Sequence, residues 1–78
     1  MKIDIKTILY THYKSTGEYI TQKGLAEEMA EAGIFKNLHS AQCMIQYNIH
    51  GRAKSLDIDM LKFLCKRFEL TLNEIIQL

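Results

Sequence analysis

The stretch Thr21–Gly51 reads TQKGLAEEMAEAGIFKNLHSAQCMIQYNIHG. It divides into a helix, a break at Gly33 and a second helix. Thr21 is placed to cap the first, and Ile20 before the cap with Leu25 inside the helix makes a hydrophobic staple. Gly24 occupies the position where a capping box would carry Glu or Gln. Leu25, Ala26, Met29 and Ala30 fall on one side and Glu27, Glu28 and Glu31 on the other, as far as about Ala32. After the connection Gly33-Ile34-Phe35-Lys36-Asn37, whose Ile34 and Phe35 are expected to be buried, Asn37 caps the second helix, Leu38–His50. Leu38, Ala41, Ile45 and Ile49 share a narrow apolar face with Met44 and Asn48 beside it, and His39, Cys43, Gln46, Tyr47 and His50 lie opposite. No carboxylate occurs between Glu31 and Asp57, while Lys36, His39, His50, Arg52 and Lys54 all do. A helix with one apolar side and one polar, acid-free side is built to be held by a small domain and offered to a polyanion.

The flanking segments read as helices too. Ile5, Ile8, Leu9, His12 and Tyr13 recur at helical spacing between a capping Asp4 and a terminating Gly17, which predicts a helix over Ile5–Thr16. Tyr10, His12, Tyr13 and Tyr19, in or near it, are expected to pack in the core or at its boundary. Residues 52–56 form a linker. Asp57 then caps Ile58–Phe68, whose inner stripe is Ile58, Leu61, Leu64, Cys65 and Phe68. Thr71 with Glu74 three residues on makes a capping box for a last helix whose apolar side is Leu72, Ile75 and Ile76. The expectation is one domain over residues 1–78: an all-α, compact five-helix bundle.

Composition agrees. Hydrophobic residues are 47% of the 78, which excludes a disordered chain, and the absence of proline with only four glycines favours helices. No apolar run reaches the ~18–20 residues of a membrane span, and charges interrupt MKIDIKTI from the second residue, so no signal peptide is read there. Two cysteines, Cys43 and Cys65, are too few for a disulfide framework; the expected setting is reducing and cytoplasmic. Net charge is only +1, so a nucleic-acid reading rests on where the charges stand, not on their sum.

Two runs carry a family resemblance. Thr21-Gln22-Lys23-Gly24-Leu25-Ala26-Glu27-Glu28-Met29 resembles the opening of a phage-repressor type (Cro/Xre-like, lambda-repressor-like) helix-turn-helix. Residues 57–76, with their spacing of apolar positions, the Thr71 cap and Glu74 before the last apolar pair, resemble that family's two closing helices. The connection after Gly33 is longer than the family's turn, and the loop after Gly51 lacks a proline often found there. The resemblance implies a transcriptional regulator that binds double-stranded DNA in sequence-specific fashion, as a homodimer on two half-sites, with Leu38–His50 as the recognition helix in the major groove. On that footing Gln42 and Gln46 would pair with base edges, and Ser40, Tyr47, Thr21, Gln22 and Lys23 would reach phosphates. His39, Cys43 and His50 complete the outward face, and Arg52 and Lys54 would meet phosphates beyond the helix.

Other chemistries have less support in the residues. His39 and Cys43 stand one helical turn apart with His50 on the same side, but a closed zinc site needs four ligands and His50 lies too far along the axis, so no metal or other cofactor is expected. No phosphate-binding glycine loop, paired carboxylates or oriented Cys–His nucleophile is present, so neither catalysis nor a small-molecule substrate is expected. The competing reading is a non-enzymatic protein-interaction module on the same helical fold, favoured by the near-neutral charge and the long turn.

Overall fold

The structure, a computed structural model, describes residues 2–51 and 57–77. The linker, with Arg52 and Lys54, lies outside the described residues, as does Leu78. Helices α1 (Ile5–Thr16), α2 (Gln22–Glu31), α3 (Leu38–Ile49), α4 (Ile58–Phe68) and α5 (Leu72–Ile75) follow one another. All five expected helices are present and the bundle is all-α in class.

Each of the first four helices begins where a side chain satisfies a free N–H of the first turn. Asp4 Oδ1 accepts from the Thr7 N–H at 3.2 Å, Thr21 Oγ1 from Gly24 at 2.9 Å, Asn37 Oδ1 from Ser40 at 2.8 Å and Asp57 Oδ1 from Met60 at 2.9 Å. A Cβ on Gly24 would stand 3.2 Å from the capping Thr21 oxygen, a tight approach at the position where a capping box would place a longer side chain. Gly33 ends α2 at φ +77°, a left-handed conformation that L-residues rarely adopt. There the Ile34 N–H closes back on Met29 O at 3.1 Å. His50, expected inside the third helix, is its C-cap, and Gly51 at φ 68° turns the chain away.

The core holds Ile3, Ile5 and Ile8 from the N-terminal segment, Leu25, Ala26 and Met29 from α2, Ala41 and Ile45 from α3, and Met60, Leu61 and Leu64 from α4. The expected inner faces of α2 and α3 are therefore the buried ones. Phe35 packs half-buried against the core from the connection, and Ile34 is also half-buried. Among the described residues α2 and α3 make the most extensive pairing, so the second helix is held against the first.

Several expectations need correction. Ile58 is 59% exposed and the buried side of α4 is turned toward Met60, because as first residue of the helix Ile58 projects past the core. Tyr10, Tyr13 and Tyr19 are exposed; only His12 among that group is half-buried, edge-on to Phe68 at 4.9 Å between ring centroids. The last helix is a single turn. Glu74 Oε1 accepts from the Thr71 N–H at 3.1 Å and from its hydroxyl at 3.0 Å, which starts the turn. Beyond Ile75 the chain becomes a strand, β2 (Ile76–Gln77), paired antiparallel with β1 (Lys2–Ile3) so that Ile3 faces Ile76. A β-branched residue such as Ile76 suits a strand better than a helix end, and the pairing joins the Lys2–Ile3 segment to the closing one.

Candidate nucleic-acid interface

The outward stripe of α3 is set by spacing alone. His39, Cys43, Gln46 and His50 recur at three- and four-residue intervals, so they run along one side of the helix for about 16 Å. The opposite side is pinned by the buried Ala41 and Ile45 and by Asn48, which is 2% exposed. Asn48 Nδ2 donates to Met44 O, one turn back, at 2.9 Å. Its Oδ1 is buried with no hydrogen-bond partner among the described residues. Rotation of α3 about its axis would carry the buried Ala41 and Ile45 into water, so the stripe's direction is fixed.

Gln46 is exposed and its Nε2 donates to Gln22 Oε1 at 2.9 Å. This side-chain bond joins the middle of α3 to the first residue of α2 across 24 positions of sequence. A glutamine amide carries two N–H donors and an acceptor oxygen. After the bond to Gln22, Gln46 keeps one N–H and its Oε1, the donor–acceptor pair that a bidentate partner needs. Gln22 in turn sits beside exposed Thr21 and Lys23 at the start of α2. The Thr21 oxygen accepts from Gly24, which leaves its O–H free to donate.

The other candidates divide. His39 is exposed and its Nε2 lies 3.5 Å from Cys43 Sγ, so these two form a local pair on the stripe. Tyr47 is 47% exposed to one side of it. Gln42 and Ser40 are half-buried, and the Ser40 backbone is engaged by the Asn37 cap. The structure thus brings Gln22, Gln46 and their neighbours together, and Arg52 and Lys54 lie outside the described residues. Among the described residues no three His, Cys, Asp or Glu side chains gather as metal ligands would.

Elsewhere, four side chains from different segments are linked by side-chain hydrogen bonds. Arg67 Nε donates to Glu28 Oε1 at 2.8 Å and Nη2 to Glu18 Oε1 at 3.2 Å, while His12 Nε2 stands 2.7 Å from the same Glu18 oxygen. The hydrogen bonds from His12 first and Arg67 second hold the Glu18 carboxyl below its ordinary range. The bond to Glu28 first and Glu18 second raises Arg67 above its own. Two carboxylates are thereby tied to α4. Sequence reasoning missed this network, since its bonded partners lie as many as 49 positions apart. It also missed that Lys6, Tyr10, Tyr13 and Lys14 share the free side of α1, which their spacing of four, seven and eight residues does signal.

Compared with known protein families, with curated proteins and with solved structures, the chain shows no match.

Proposed function

We propose that the chain is a sequence-specific DNA-binding transcriptional regulator that acts as a homodimer, with α3 entering the major groove. The observation that carries this reading is the Gln46–Gln22 hydrogen bond. It holds an exposed amide at the centre of an acid-free helix face and leaves free the donor and acceptor that adenine N7 and N6 would engage. The start of α2, with Thr21 and Lys23, then supplies phosphate contacts beside the base contact. Arg52 and Lys54 add positive charge in the chain just after α3.

The test is a substitution that separates base readout from charge. Gln46→Ala should cost about 1–3 kcal/mol on the preferred duplex and relax preference at one base position. Arg52→Ala or Lys54→Ala should weaken binding to every duplex alike and lower the salt slope by about one unit each. Equal losses for Gln46→Ala on preferred and random duplexes would remove Gln46 from base readout.

A further inference from the structure

A groove of about 850 Å³ runs between α1 and the segment leading into α2. Half-buried Leu9 and Ile20 contribute to its apolar lining. Three tyrosines stand along it, with Tyr10 65% exposed, Tyr13 44% and Tyr19 75%. The Tyr13 and Tyr19 rings meet edge to face at 5.9 Å between centroids, which holds two of the three in a fixed relation. Lys6, Lys14 and Lys23 also line the groove, and among the described residues no carboxylate does. Glu18, next in sequence to Tyr19, has its carboxylate committed to His12 and Arg67 instead.

Exposed rings gathered in one place need a reason, since scattered surface aromatics are ordinary and clustered ones mark contact sites. We infer that this groove binds single-stranded nucleic acid, with bases stacked on Tyr10, Tyr13 and Tyr19 and the backbone phosphates held by Lys6, Lys14 and Lys23. Flat apolar faces alternating with negative charge are the chemistry that complements tyrosines interleaved with lysines. A duplex keeps its base faces inside the stack and offers the rings nothing. An acidic peptide offers the charges without a ring at each step. The volume suits a short length of strand, with the rest of it lying on the surrounding surface.

This site goes beyond the proposed reading of duplex DNA by α3: apart from Lys23 it uses other residues, and it takes another form of nucleic acid. The two surfaces adjoin, because Gln22 lines the groove and also holds Gln46.

The experiment is titration of the full chain with a fluorescein-labelled, non-self-complementary single-stranded DNA 12-mer, read by anisotropy, and with the unlabelled strand, read by tyrosine emission. The chain has no tryptophan and the groove holds three of its four tyrosines, so stacking registers directly as quenching. Binding with quenching is expected. Tyr10→Ala and Tyr19→Ala should each weaken it about 5- to 150-fold, as loss of one stacked base implies. Tyr19→Phe, which keeps the ring, should bind like the parent, and Lys14→Gln should lower the salt slope by about 0.7. Gln46→Ala should leave strand binding unchanged, which keeps this result separate from that for duplex DNA. The inference is overturned by absence of quenching in the unaltered chain, by full affinity in folded Tyr10→Ala and Tyr19→Ala variants, or by polyglutamate displacing the strand at equal charge.

Discussion

Glu69 ends α4 at φ 55° and ψ 48°, the one non-glycine residue with positive φ among those described. Its N–H and that of Leu70 both reach back to Cys65 O, the Leu70 bond at 3.0 Å, so the left-handed turn closes the helix end whatever side chain is there. That conformation costs an L-residue about 1–2 kcal/mol, of which glycine's greater freedom in the unfolded chain would take back part. Glu69→Gly should therefore stabilise the protein by about 0.5–1 kcal/mol, which for a domain of this size raises Tm by several degrees. Thermal unfolding followed by circular dichroism measures it, and a lower Tm would contradict the assignment of strain. Asn48 and Ile58 show the limit of single-residue reading. Helical spacing puts both near an inner face, yet the asparagine is buried and the isoleucine exposed, because burial depends on which neighbour arrives to cover a position.

Elements whose ends depend on nearest neighbours were legible. The caps at Asp4, Thr21, Asn37 and Asp57 are each a side chain meeting a backbone N–H three residues on, and α1 and α4 have the bounds that spacing predicts. α5 was read too long because its continuation is decided by a strand from the other end of the chain. The outward face of α3 was likewise legible from spacing, but its tie to α2 through Gln22 was not, and neither was the chain of side-chain bonds linking α1, α2 and α4. That last network makes a pH prediction. Glu18 is an acid with a lowered folded-state value, so its contribution is fully present above its ordinary value of 4.5 and is lost as pH falls through the lowered one. Unfolding midpoints in denaturant should therefore decline below about pH 4.5, and Glu18→Gln should decline less steeply there. Parallel acid profiles for the two chains would contradict the pairing.

At the scale of the molecule, near-neutral net charge conceals an uneven layout. Acids stand before residue 32 and after residue 56, two of them bonded to Arg67, and the α3 face between has none. Among the described residues no helix is long and apolar enough to cross a membrane. One helix in one groove gives a small contact, and a symmetric pair reading two half-sites about 34 Å apart would double it. Exposed Ile58 and Leu72 put apolar surface on α4 and α5 for such a pair, in the part of the chain where the sequence places Ile75, Ile76 and Leu78. Sedimentation should then show a dimer on DNA, and a monomer at high concentration with and without DNA would contradict it. Duplex DNA recognition itself is tested most directly by selecting from a random duplex pool and measuring the folded chain on selected and random duplexes at two salt concentrations. The account predicts a defined preferred site, bound at least about 1,000-fold more tightly than random duplex, with both affinities falling as salt rises. No measurable duplex binding at low salt across the whole pool would contradict it and leave the helical face to a protein partner.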